Sequence, residues 1–167
     1  VLEDGSREPS PNTTPGLLSL YRTFQALESA GYTAVVMEVS SQGVAQHRIR
    51  GVPFTAAVWT NLSPEHFELH GDLDTYRNVK MSFFSGCARR PAGGGVPEFA
   101  SVLNADDPSF PMFLSACSGT VRTFGLRAGA EVMAENIESG FDGNHFVLST
   151  GGGRRPVSLA LGGEFNV

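Results

Sequence analysis

Four groups of side chains in this sequence could do chemistry. Glu38 closes the apolar run TAVVM and is followed by the hydroxyls of Ser40 and Ser41. His66 and His70 stand four apart, with Glu65 and Glu68 beside them. Lys80 lies in the segment YRNVK. Asn104, Asp106 and Asp107 follow the apolar stretch ASVL. Glu favours neither turns nor strands, and a carboxylate beside an apolar run is expected near the core, where unpaired carboxylates are rare. Glu38 is therefore read as functional. Asn104 and Asp107 are explained as well by ordinary turn chemistry. The histidines could suggest a metal pair, but the zincin pattern needs Glu directly after the first His, and HFELH lacks it. Two surface histidines is the plainer reading. His47 and His145 carry no usable signal.

Lys80 is the only lysine among the 12 basic residues; the others are arginines. A phosphate-cradling loop G-x-x-x-x-G-K-[ST] needs a lysine after glycine, whereas Lys80 follows Val79, so a complete P-loop enzyme is excluded. On a helix over 72–87 the apolar stripe is Leu73, Tyr76, Phe83, Phe84 and Cys87. Lys80 is four residues after Tyr76 and three before Phe83, so it shares that face. An inward lysine is costly unless paired or neutralised. Two accounts stand: a snorkelling side chain whose ammonium reaches water, or a functional amine.

The elements that must position these groups follow from periodicity and punctuation. After a polar, proline-bearing start over 1–12, Leu17, Leu18, Tyr21, Phe24 and Leu27 predict a helix opening near Thr14 and Pro15 and ending at Gly31. Residues 33–39, 53–60, 100–105 and 120–125 read as buried parallel strands. Short helices are expected from SSQGVAQHRI, from SPEHF with Ser63 as its cap, and from DPSFPMFLSAC with Pro111 in its first turn. Residues 89–98 read as a loop. Alternating strands and helices imply an α/β fold with a mostly parallel sheet. Residues 13–125 form its expected core. Three strands near 130–139, 143–150 and 155–163 form an antiparallel extension over 126–167 of the same domain. In such sheets ligands bind beyond the carboxyl ends of the strands, where Glu38, Asn61 and Asn104 fall.

Composition narrows the function classes. A net charge of -5 and a pI near 5.3 argue against a polybasic nucleic-acid or membrane surface. No apolar stretch approaches the ~20 residues of a membrane span, and the start has no signal-peptide pattern. Cys87 and Cys117 are read as free thiols of a reducing cytosol.

Taken together, NTTP (12–15), EVSSQGVAQHR (38–48), TNLSPEHFELHG (60–71), YRNVK (76–80), NADDP (104–108) and GEFNV (163–167) resemble the central domain of the Mur ligases, in the UDP-N-acetylmuramoyl-tripeptide synthetase (MurE) type. The blocks fall in family order across nearly the whole chain. The resemblance implies a cytoplasmic, ATP-dependent amide ligase of peptidoglycan synthesis. Such an enzyme phosphorylates the carboxylate of UDP-MurNAc-L-Ala-D-Glu, and a diamino acid then attacks the acyl phosphate. It implies that Glu38, His66 and Lys80 are catalytic and serve Mg2+, with Lys80 carbamylated by CO2. It implies that Thr13, Thr14, Ser40, Gln46 and Arg48 contact the muramoyl peptide, and that Asn104 and Asn61 lie on the ATP side.

A carbamate turns an amine into a two-oxygen anion suited to magnesium, and its formation needs the neutral amine that inward placement favours. With the resemblance in hand, the functional account of Lys80 replaces the snorkelling one. Gln42 and Glu65 stand where the family has His and Asp. The family's ATP-binding loop is expected upstream of Val1, with further N- and C-terminal domains, so the 167 residues are expected to be inactive alone. Two other readings are a relative such as folylpolyglutamate synthase or cyanophycin synthetase, and a non-catalytic nucleotide-sugar-binding module. The NTTP and EVSS…QHR blocks argue against the first, and the joint presence of Glu38, His66 and Lys80 against the second.

Overall fold

A computed structural model describes residue 10 and residues 12–62, 72–88, 99–117 and 119–167. Helix α1 spans Leu17–Ser29 and α2 spans Ser41–Ala45. Strand β1 (Ala56–Trp59), helix α3 (Leu73–Ala88), strand β2 (Ala100–Asn104), helix α4 (Phe110–Ala116) and strand β3 (Thr120–Gly125) follow. Strands β4 (Val132–Gly140), β5 (Gly143–Thr150) and β6 (Gly153–Leu159) come next, then a 3-10 turn over Glu164–Asn166.

The six strands form one sheet in chain order. β1 to β4 pair parallel, and β4, β5 and β6 pair antiparallel. This is the expected mostly parallel α/β sheet with an antiparallel end. The antiparallel part continues the same sheet, through a short parallel register of Phe124 with Val132 and Gly125 with Met133. The described residues divide into two compact units, one built from those up to Pro53 and from 72–83, the other from 54–62 and 84–167.

The second unit carries the sheet. Residues on β2 alternate in burial, with Ser101 and Leu103 inside, as a strand's two-residue period requires. Trp59 of β1 stacks on Phe113 of α4 at 4.0 Å between ring centroids, and Phe84 meets Phe113 edge-on at 5.6 Å. Each such pair is worth about 0.5–1.5 kcal/mol beyond area burial. Phe113 and Leu103 are fully buried, so this cluster fixes α4 against the sheet near the carboxyl ends of β1 and β2. At the far edge, Pro156 on β6 pairs with Val147, and Arg154 pairs with Glu135. Proline and arginines suit an edge strand, which must not recruit another chain. Asn136, with φ of 53°, marks a bulge in β4 where the register to β5 shifts. Fully buried Asn144 accepts from Ser139 and donates to the carbonyls of Leu161 and Gly163, which pins the segment after β6.

In the first unit, α1 buries Leu20, with Phe24 and Leu27 half-buried on the same stripe, while Leu18 and Tyr21 face outward. It ends in a Schellman motif: Gly31 donates to Glu28 and Tyr32 to Leu27, with Gly31 at φ +88°, the left-handed conformation glycine adopts without strain. Helix α3 is capped by Asp72, whose carboxylate accepts from the backbone N–H of Thr75 at 2.6 Å.

Two expectations are corrected. Residues 33–39 form no strand: they run without a ladder partner among the described residues, and Val36 is fully exposed. β-branched residues favour extended backbone, but a strand exists only where a neighbour supplies hydrogen bonds. The first helix opens at Leu17 with Gly16 as its cap, not at Thr14 and Pro15, because Thr14 is engaged elsewhere. The expected SPEHF helix with its Ser63 cap and the expected 89–98 loop lie outside the described residues.

Candidate functional site

Thr14 organises the first unit. Its hydroxyl donates to the carbonyl of Glu38 at 3.1 Å. It accepts from the backbone N–H of Ser40 at 2.9 Å and from the Ser40 hydroxyl at 3.2 Å. Ser40 in turn caps α2 by accepting from the N–H of Gly43 at 3.1 Å. A serine at this position satisfies one of the helix's unpaired amides. The carbonyl of Thr14 accepts from Nη1 of Arg48 at 2.9 Å.

Helix α2 is one turn long and stops in the same motif as α1. His47 donates to Val44 at 3.0 Å and Arg48 to Gly43 at 2.9 Å. The left-handed position, filled by Gly31 after α1, here holds His47 at φ 55°. That reversal swings Arg48 back beside Gln46, two residues away, where a continuing helix would have separated them. Nε and Nη2 of Arg48 both donate to Oε1 of Gln46, at 3.0 and 2.6 Å. Three of the guanidinium's five N–H groups are thereby engaged. The other two, and the amide hydrogens of Gln46, have no partner among the described residues. Gln46 is exposed and Arg48 half-buried. The pair presents a cluster of unsatisfied donors at a helix end, an arrangement able to hold a carboxylate or phosphate.

Glu38 is exposed, which corrects the expectation of a near-buried carboxylate. The run before it is not a strand, so nothing draws its side chain inward. Only its carbonyl is held, by Thr14. Its carboxylate is unbonded among the described residues, a hard oxygen donor open to a cation. Thr13 is exposed as well. Lys80 is half-buried on α3, with Nζ 4.8 Å from the ring centroid of Tyr76, which is buried. The inward register read from the sequence is thus the one observed. Glu38 and Lys80 belong to the same unit and are not bonded to each other. His66 lies outside the described residues. Among those described, no group of three or more His, Cys, Asp or Glu gathers in a metal-binding cluster.

In the second unit the segment after β2 ties the carboxyl ends of three strands together. The side-chain amide of Asn104 donates to the carbonyl of Thr60 at 2.7 Å and accepts from the N–H of Asp106 at 2.9 Å. Asp107 accepts from Ser109 at 2.8 Å, a turn role, and from the N–H of Leu62 at 2.8 Å, just beyond β1. Asp106 accepts from the N–H groups of Leu126 and Arg127, past the end of β3. Its carboxylate would lie 2.8 Å from a Cβ at Gly125, so the glycine makes room for it. Asn61 is exposed, and its carbonyl accepts from the indole of Trp59 at 3.1 Å. The turn reading of Asn104 and Asp107 was right but incomplete, since both also clamp β1. Nothing in the sequence marked His47 or Gly43, and Asp106 stood out only as a strand-end carboxylate, not as a clamp reaching past β3: the left-handed turn and the close approaches depend on contacts distant in sequence.

A mostly parallel sheet with an antiparallel end and polar clamps at its strand ends places the second unit in the class of open α/β folds. The particular family follows from comparison: a family model described as the Mur ligase middle domain matches residues 2–167, and the chain belongs to that family. It is 39% identical over 159 residues to the UDP-N-acetylmuramoyl-L-alanyl-D-glutamate–2,6-diaminopimelate ligase of Geobacillus kaustophilus (strain HTA426), covering 95% of this chain and 32% of that protein. A solved structure of a UDP-N-acetylmuramoyl-L-alanyl-D-glutamate–2,6-diaminopimelate ligase superposes with a TM-score of 0.79 at 26% identity, over 93% of this chain and 32% of the other. MurF from Acinetobacter baumannii shares the fold, at 24% identity over 69% of this chain and 23% of its own, with a TM-score of 0.56. The chain thus spans about a third of the length of the curated relatives it matches.

Proposed function

We propose that this chain is the middle domain of an ATP-dependent ligase that joins diaminopimelate to UDP-MurNAc-L-Ala-D-Glu through an acyl phosphate in peptidoglycan synthesis. One observation carries the reading furthest. Arg48 of the donor cluster and the backbone carbonyl of Glu38, whose carboxylate is unbonded among the described residues, are fastened to the same residue, Thr14. An anion-gripping pair and a cation-holding group share one support. The curated relatives' names supply the substrate and favour diaminopimelate over lysine.

In this reading Arg48 and Gln46 bind an anionic group of the muramoyl peptide, with Ser40 and Thr13 beside them. Asn104 and Asn61 stand toward the nucleotide. Glu38 fits Mg2+ through its hard, unbonded oxygens; His66 would join it. Lys80 fits only after conversion: as an ammonium it repels a cation. Attack of its neutral amine on CO2, with loss of one proton, gives a carbamate whose single negative charge is shared by two oxygens. When bound, ATP and Mg2+ supply the phosphoryl group and neutralise charge on the reacting oxygens. Other domains of the same protein would complete the enzyme, in the cytoplasm; among the described residues no helix is long and apolar enough to cross a membrane.

The test is ligation by the full-length protein that carries this domain, using UDP-MurNAc-L-Ala-D-Glu, ATP, Mg2+ and labelled diaminopimelate. The expected product is the labelled tripeptide nucleotide. Absence of product with diaminopimelate and with lysine would refute the reading. The isolated 167 residues should give none; turnover by them alone would refute the fragment's expected inactivity.

A further inference from the structure

The side chain of Thr14 has no capacity left for a ligand. A hydroxyl offers one donor and two acceptor sites. Thr14 donates to Glu38 and accepts from the N–H and from the hydroxyl of Ser40. All three sites are used, and the residue is fully buried. Its carbonyl is engaged by Arg48. The contacts also leave no slack: a Cβ added to Gly43 would lie 2.8 Å from both Cβ and Cγ2 of Thr14, closer than side-chain carbons come to one another. Gly43 is itself held by the cap from Ser40 and receives the closing bond from Arg48.

We infer that the Thr14 side chain is a positioning group and not a substrate contact: it is the hub that sets Glu38, Ser40 and Arg48 relative to one another, with Gly43 providing the space. The consequence deepens the proposed function and rests on it for the identity of the ligand. Thr13, exposed one residue earlier, is left to meet substrate. Thr14 acts through the three residues it ties. Valine at position 14 keeps the shape but cannot make the three bonds; serine keeps the hydroxyl.

Two measurements on the full-length protein test this. The first is hydrogen exchange of the Ser40 amide, which needs no substrate. Thr14→Val is expected to speed it by about tenfold, the equivalent of one net hydrogen bond, and Thr14→Ser to leave it near wild type. Unchanged protection in Thr14→Val would overturn the hub. Should the valine variant not fold, Gly43→Ala is the second probe: the added methyl must displace Thr14, so the Ser40 amide is expected to loosen there too. An unaffected amide in that variant would equally overturn the inference.

The second measurement is affinity for UDP-MurNAc-L-Ala-D-Glu in Thr14→Val, Ser40→Ala and the double variant. A residue acting in part through Ser40 gives a double variant that loses less than the sum of the two single losses, and Thr14→Ser restores binding. Additive losses, with no rescue by serine, would mean an independent contact and would overturn the positioning role. If the wild-type protein does not bind this nucleotide, the proposed function fails while the exchange result still decides the hub.

Discussion

Arg48 grips the side-chain oxygen of Gln46 with two parallel N–H groups, at 3.0 and 2.6 Å, while a third holds the backbone of Thr14. The fork aligns the guanidinium plane before any ligand arrives, so its remaining hydrogens point in a fixed direction. Lysine keeps the charge but has no planar fork. Arg48→Lys is therefore expected to weaken binding of UDP-MurNAc-L-Ala-D-Glu by roughly ten- to a hundredfold, the loss of one hydrogen bond involving a charged group. Calorimetric titration of the full-length variant checks this. Affinity within a factor of about two of wild type would show that the fork does not serve the ligand.

The fork depends on the backbone of the residue between its partners. His47 holds φ at 55° in a Schellman turn, where α1 uses Gly31. A β-branched residue in that conformation is strained by about 1–2 kcal/mol. His47→Val should lower stability by about that amount and weaken nucleotide binding with it, as Gln46 and Arg48 separate. His47→Gly should hold both near wild type. Chemical denaturation of the two variants decides: equal stability would mean that the turn does not require a left-handed residue.

Position 47 also shows what the sequence could and could not carry. Helix α3 and strands β3 and β5 were legible because their signals are local: apolar residues at helical steps, or short β-branched runs bounded by glycine and proline. Lys80's inward register came from the same period. The run 33–39 had the composition of a strand, but a partner is a property of another segment, and among the described residues none pairs with it. Glu38 was read as near-buried for the same reason and lies exposed. Thr13 and Thr14 were indistinguishable on paper. Their separation into an outer and a fully buried residue follows from a bond network that reaches residues 24 to 34 positions away. Family likeness could nominate the set Thr14, Ser40, Gln46 and Arg48, but not which member supports the others.

The helix that carries Lys80 has its own electrostatic anchor. The backbone N–H and the hydroxyl of Thr75 hold the carboxyl of Asp72 below its usual range. A carboxyl whose folded value is depressed stabilises the folded state above its unfolded value, and that contribution is lost as pH falls through the folded value. The window therefore lies in acid, beginning near the ordinary aspartate value of about 3.9 and extending below it. Asparagine caps helices as well as aspartate does but does not titrate. Asp72→Asn should match wild type in stability near neutrality and lose less on acidification. Thermal melts of both proteins between neutral and strongly acidic pH check the sign; an equal or steeper acid loss in the variant would contradict it.

Lys80 is where sequence, packing and chemistry meet most directly. Its stem is half-buried on α3, and its nitrogen stands 4.8 Å from the ring centroid of buried Tyr76. A cation over an aromatic face is attracted by about 0.5–1 kcal/mol at an accessible site, an attraction that a carbamate anion lacks. Carbamylation gives up that attraction and gains only if a cation receives the new oxygens. The modification is therefore expected to depend on Mg2+ as well as on CO2. In the full-length protein, intact-mass measurement under bicarbonate and Mg2+ should show one added CO2, removed by Lys80→Arg and diminished when Mg2+ is chelated. Ligation should fall in CO2-depleted buffer and recover on adding bicarbonate. Full activity without CO2 would show that Lys80 works as an amine, leaving its place over Tyr76 to packing alone.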